Sequence, residues 1–99
     1  MFDELTLEKN DLDIEEPKDY KLMLWNDDTT LIDTVVKVLT DIIGFDTQKA
    51  VNVTIKAHNF GNCCVGMYPY EIAETLMVES MKYVHSRGYH DFKMTVEEA

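Results

Sequence analysis

From Tyr20 to Trp25 the chain reads YKLMLW, a short β-compatible run that ends on turn-forming residues and predicts a first strand. Apolar residues then recur at three- and four-residue steps. Ile32, Val35, Val36, Leu39, Ile42 and Ile43 share this spacing, which predicts a helix. Thr30 is placed to cap it, with Asp33 three residues on as an acidic variant of the capping box. Gly44 ends it as a left-handed residue would. Asp46 then caps a second helix that carries Ala50, Val53 and Ala57 on one face and stops near Asn59 and Gly61. The run CCVGMY predicts the second strand. Pro69 suits the start of a third helix, whose inward face is Ile72, Ala73, Leu76, Met77, Ser80 and Val84. That helix ends at HSRG, where His85 and Arg87 meet the negative end of the dipole and Gly88 stops the turn. In FKMTV, Phe92, Met94 and Val96 alternate as the inward side of a last, half-buried strand.

The order is β-α-α-β-α-β. It predicts an α+β fold in which a three-stranded antiparallel sheet packs against three helices. No internal repeat or low-complexity tract interrupts it. The 99 residues, 45% of them hydrophobic, suffice for one core. Charge is unevenly spread, since eight of the 19 acidic residues but only two of the nine basic ones fall within the first 20 positions. High charge with little to bury predicts a disordered acidic arm over 1–18 and a folded domain over 19–99. A short helix from Leu5 to Leu12, formed only against a partner, is the alternative for the arm.

A net charge of −10 argues against a nucleic-acid surface, which needs clustered Lys and Arg. No apolar run approaches the ~20 residues of a membrane span, and the acidic start does not resemble a signal peptide. These features predict a cytoplasmic protein. Cys63 and Cys64 are neighbours and would point to opposite faces of a strand, so packing cysteines are expected rather than a disulfide or a metal site.

The candidate chemistry lies in Asn26-Asp27-Asp28, followed by Thr30, together with His58. Ile32, Val35, Thr54 and Ala57 lie around that turn on helix faces. Polar acceptors at the rim of an apolar hole would receive something amphipathic. A primary ammonium has three donors and would match an amide oxygen, a carboxylate and an imidazole nitrogen. Other readings stand beside this one. Asx turns and helix caps select the same three residues whatever the function, and a small structural or protein-interaction domain would need no such site. Catalysis is disfavoured, because adjacent Asp27 and Asp28 cannot both point into one cleft and no nucleophile pattern accompanies them. No metal or other cofactor is expected.

Taken together, these residues resemble the ClpS family of N-end-rule adaptors. The NDD turn after the first strand is similar to that family's, AHNFGNCCVGMYPYEIAET resembles its His-and-Gly region and following A-E-T helix, and FKMTVEEA resembles its closing strand. The resemblance runs over about 19–99. It implies an adaptor without chemistry of its own, which binds the free α-amino group and bulky first side chain of N-degron proteins. By this resemblance Asn26, Asp28 and His58 hold the amino group, with Asp27 less directly engaged. Thr30, Ile32, Val35, Thr54 and Ala57 line the side-chain pocket, with Phe92 near it. Glu71, Glu74 and Thr75 dock on a ClpA- or ClpC-type AAA+ unfoldase that feeds ClpP, and the arm engages the unfoldase. The adaptor is expected to be a monomer. The chain departs from the family at Ile32 and Thr54, where Met is common, at Leu76, which replaces a Lys in A-E-T-K, and at Pro69 in place of Thr.

Overall fold

The computed structural model describes residues 18–99, so the arm assigned to 1–18 lies outside the described residues except for Lys18. The alternation of Leu22 and Leu24 with outward residues makes β1 (Asp19–Trp25) a strand with one buried side, and both leucines are fully buried. β1 is also the central strand. It pairs antiparallel with β2 (Asn62–Pro69) on one side and β3 (Lys93–Glu98) on the other, giving the order β2-β1-β3. Between them run α1 (Ile32–Val38), α2 (Thr47–Phe60) and α3 (Tyr70–His85). The predicted β-α-α-β-α-β order and three-helix, three-stranded fold are those observed.

One core forms between the sheet and the helices, from Leu22, Leu24, Val65, Phe92 and Met94 on the sheet side and Val35, Val38, Leu39, Ala50, Val53, Ala57 and Val84 on the helix side. A bulge in β2 tunes this surface. Leu22 pairs with Gly66 and Met23 with Cys64, so Val65 is the extra residue and is buried. Cys63 is half-buried against the core, where burial pushes its thiol pKa up against the opposing pull of Lys56. Cys64 is exposed, so only one of the two cysteines packs as expected.

The helix ends carry the other differences. Leu31, not Thr30, occupies the cap position of α1, and its side chain makes no capping hydrogen bond. Thr30 is drawn away because its N–H and hydroxyl both donate to Asp27 (2.8 and 2.9 Å). α1 continues into a π-helical turn, Leu39–Ile43. It closes where the N–H groups of Gly44 and Phe45 both donate to the Leu39 carbonyl at 3.0 Å, with Gly44 left-handed at φ 93°. Asp46 caps α2 as expected, accepting from the Lys49 N–H at 2.8 Å.

Along α3, Ala73, Ser80 and Val84 form the buried stripe, flanked by half-buried Leu76 and Met77. Ile72 was expected inward, yet it is 50% exposed. It sits one residue from Ala73, a rotation of ~100° about the helix axis that carries it off the stripe. Phe92 precedes β3 instead of belonging to it, although its side chain is in the core.

Ser80 is fully buried, and its hydroxyl has no hydrogen-bond partner among the described residues. An unsatisfied buried donor is costly, and Ala is the better helix former. Ser80→Ala is therefore expected to raise unfolding stability by ~1 kcal/mol, whereas Leu22→Ala is expected to lower it by ~2–5 kcal/mol. Urea unfolding midpoints check both; a lower midpoint for Ser80→Ala would mean that its hydroxyl is satisfied in solution.

Candidate functional site

The turn after β1 is fastened to the end of α2. The Asn26 N–H donates to the Gly61 carbonyl at 2.9 Å, and Gly61 can occupy that corner because it is left-handed, at φ 90°. One turn back along α2 lies His58, so this bond brings the turn and the histidine to one place. The preceding Trp25 pairs with Asn62 on one side and Lys93 on the other, and its indole N–H donates to the Thr95 hydroxyl at 2.8 Å. Both strand neighbours thus fix the direction in which the chain leaves β1.

Within the turn the three polar residues divide. Asp27 Oδ1 accepts from the backbone N–H groups of Thr29 (2.9 Å) and Thr30 (2.8 Å) and from the Thr29 hydroxyl (3.0 Å), while Oδ2 accepts from the Thr30 hydroxyl. Partial burial pushes the Asp27 pKa up, but the hydrogen bonds from Thr30 and Thr29 outweigh it and hold the carboxyl below its ordinary value of 3.8. The Thr29 hydroxyl also lies 3.3 Å from Asp91 Oδ2. Asp27 therefore builds the turn. The side chains of Asn26, Asp28 and His58 make no hydrogen bond among the described residues, and all three are solvent-exposed.

A cavity of about 510 Å³ opens beside this turn, within the size range of small-ligand sites. Asn26, Asp27, Asp28 and His58 line it together with Thr30, Ile32, Val35, Thr54 and Ala57. Val35, Thr54 and Ala57 are buried and Ile32 is 52% exposed, so an apolar interior meets a partly apolar lip. The Thr54 hydroxyl donates to the Ala50 carbonyl at 2.8 Å, spending its proton inside α2. The arrangement offers an amide oxygen, a carboxylate and an imidazole, none committed to the fold, at the edge of a hydrophobic hole.

Phe92 is not part of the cavity lining. It lies in the core, and its carbonyl is 2.9 Å from His85 Nε2. Glu71, Glu74 and Thr75 are exposed on α3, away from the cavity lining, and Glu74 accepts from the Tyr70 hydroxyl at 3.1 Å. Leu24, Trp25, Thr29, Leu31 and Asp33 also line the cavity and were not singled out from the sequence. Leu24 and Trp25 read as strand residues, and Leu31 carried no signal once Thr30 was taken as the cap. Among the described residues no group of three or more His, Cys, Asp or Glu could hold a metal ion, and no helix is long and apolar enough to cross a membrane.

Comparisons with known proteins agree with one another. Residues 15–95 match the family model described as ATP-dependent Clp protease adaptor protein ClpS. The chain is 38% identical to the ATP-dependent Clp protease adapter protein ClpS of Nautilia profundicola, over 85% of this chain and 87% of that one. Against its namesake from Clostridium acetobutylicum the identity is 37%, over 98% and 93%. Among solved structures, that of Agrobacterium tumefaciens ClpS2 bound to L-phenylalaninamide superposes with a TM-score of 0.80. The two chains are 31% identical, and the match covers 85% of this chain and all of that one.

The depressed Asp27 carboxyl has a consequence for stability. A group whose folded-state pKa is lowered contributes fully above its unfolded value and loses that contribution as pH falls through the folded one. Asp27→Ala is expected to cost ~0.5–2 kcal/mol at neutral pH, as loss of a helix-capping acceptor does. That deficit should shrink as pH falls below 3.8, where the unfolded carboxyl takes up its proton. Denaturant titrations of both proteins across this range check it; a deficit independent of pH would assign the cost to lost packing.

Proposed function

This chain belongs to the ClpS family of ATP-dependent Clp protease adaptor proteins, and we propose that it selects cargo by its first residue. In this reading the free α-ammonium of an N-degron protein is held by Asn26, Asp28 and His58, and the bulky first side chain fills the cavity past Ile32 and Val35 onto Thr54 and Ala57. The observation that carries it is the set of three uncommitted acceptors on the rim of one apolar cavity. The ligand named for the Agrobacterium ClpS2 structure supports it, because L-phenylalaninamide joins a primary amine to a benzyl side chain. The loaded adaptor, acting as a monomer in the cytoplasm, then hands its cargo to a ClpA- or ClpC-type unfoldase coupled to ClpP. Glu71, Glu74 and Thr75 are the docking residues on α3, and residues 1–18 act in delivery.

The chemistry sets the selectivity. An ammonium taken out of water is costly unless its donors are paired, and a bond to ionised Asp28 is of the stronger, charge-assisted kind. A buried Leu or Phe side chain contributes roughly 1.5–3 kcal/mol. Neither contribution alone overcomes the cost of association. Requiring both distinguishes a free N-terminus from a lysine or an internal phenylalanine.

Peptides beginning with Phe, Leu or Ser, each with a free or acetylated N-terminus, test the reading by fluorescence anisotropy. Free Phe and Leu peptides should bind, and acetylation or an initial Ser should abolish binding. Asp28→Ala should weaken the free Phe peptide by ~1.5–3 kcal/mol, the worth of a hydrogen bond to a charged group, without changing the melting temperature. Affinity for acetylated peptides equal to that for free ones would sink the assignment. A second comparison probes the interior. Thr54 is shorter than Met and leaves room for bulk near the backbone, so Thr54→Met should weaken Ile and Val peptides more than Leu and Phe peptides. The expected widening is ~1–3 kcal/mol, typical of a methylene-sized change in an apolar pocket. Equal Leu-to-Ile ratios in both proteins would show that Thr54 does not touch the first side chain.

A further inference from the structure

Leu31 is out of place by local rules. It occupies the cap position of α1 with extended backbone (φ −64°, ψ 140°), where Ser, Thr, Asn or Asp would satisfy a free N–H and Leu satisfies none. Its carbonyl serves the helix, accepting from Thr34 (3.0 Å) and Val35 (3.2 Å), but its side chain is 59% exposed. Its neighbour Ile32 is 52% exposed, and both line the cavity. Two adjacent exposed aliphatic side chains at a site mouth, one of them in a position that favours a polar residue, break a local preference where a ligand would gain from it.

We propose that Leu31, with Ile32, forms an apolar lip that receives the side chain of the second residue of the bound N-terminus. This inference rests on the α-amino reading given above and extends it by one position. Continuity with the cavity selects the occupant. Consecutive Cα atoms are about 3.8 Å apart, so a chain whose first residue is inside the cavity must carry its second across the mouth. Successive side chains of an extended segment point to opposite sides. The second one therefore leaves the interior and meets the rim, whose acceptors Asn26, Asp28 and His58 are engaged by the ammonium. Of the lining residues left in the turn and the start of α1, the exposed apolar ones are Leu31 and Ile32, beside polar Thr29 and Asp33. The adaptor accordingly reads two residues, favouring an apolar residue at the second position over glycine.

Four free peptides that begin with Phe and carry Leu, Gly, Lys or Glu at the second position test this, with the acetylated Phe-Leu peptide as control. The wild-type protein should bind Phe-Leu about three- to tenfold more tightly than Phe-Gly, from partial burial of the second side chain. Leu31→Ser should bring that ratio close to one. Met67→Ser removes an equally exposed apolar residue from β2, outside the cavity lining, and should leave the ratio as it was. Equal affinity for Phe-Leu and Phe-Gly would overturn the lip while leaving α-amino recognition standing. A ranking set by charge alone, Lys above Leu and Gly with Glu last, would overturn it too. It would assign the second position to Asp28 and Asp33. Undiminished binding of the acetylated control would instead mean that the first-residue reading has failed, and the lip with it.

Discussion

The hydrogen bond from the Asn26 N–H to the Gly61 carbonyl is the constraint on which the site depends. It joins the exit of β1 to the exit of α2, two points far apart in sequence, and does so with backbone groups whose geometry varies little. The backbone of His58 is held by the last turn of α2, and that of Asn26 and Asp28 follows directly from the central strand. Only a left-handed residue turns the chain at the end of α2 so that its carbonyl faces the β1 turn, which is why a glycine stands at position 61. Three side chains from two elements, the β1 turn and α2, then line one cavity.

In the proposed reading, that arrangement accounts for the crowding of an amide and two carboxylates into consecutive positions. A tight turn needs acceptors for its own N–H groups, and a cation site needs acceptors that the fold has not used. One aspartate cannot do both. Asp27 takes the four donors of Thr29 and Thr30 and becomes part of the framework. The side chains of its neighbours on either side are exposed and make no hydrogen bond among the described residues. Exposure of Asn26, Asp28 and His58 in the free protein is consistent with this division, since acceptors waiting in water cost the fold nothing.

Most of the fold was legible in the sequence because a β-compatible run ending at turn formers marked β1, alternation marked β3, and three- and four-residue spacing marked α1, α2 and α3. The polar residues that share the cavity lining were legible as a group, from NDD and a histidine near the end of the second helix. What could not be read was which acceptor served which donor. Thr30 matches a helix cap as well as it matches a donor to Asp27, and the difference moves the cap to Leu31. Ile72 failed for a related reason. A helix with half-buried flanks has a broad apolar arc, and periodicity alone does not fix its edge. Phe92 shows the limit from the other side: spacing placed it inward, where it is a core residue, and only the family resemblance had put it near the pocket, whose lining it does not join.

Thr54 carries the last step, because it joins stability to selectivity. A buried hydroxyl inside an apolar cavity would oppose an aliphatic ligand if its proton pointed inward. In α2 the proton is committed to the Ala50 carbonyl four residues back, so the side chain presents no free donor to the cavity. The same commitment restricts χ1 to rotamers that reach that carbonyl, and this fixes where the remaining atoms of Thr54 stand. A threonine thus makes an apolar wall that is short and stiff, whereas a long flexible side chain such as Met would yield to several shapes. In the proposed reading, breadth of accepted first residues should come from the room that a short wall leaves, not from a wall that moves.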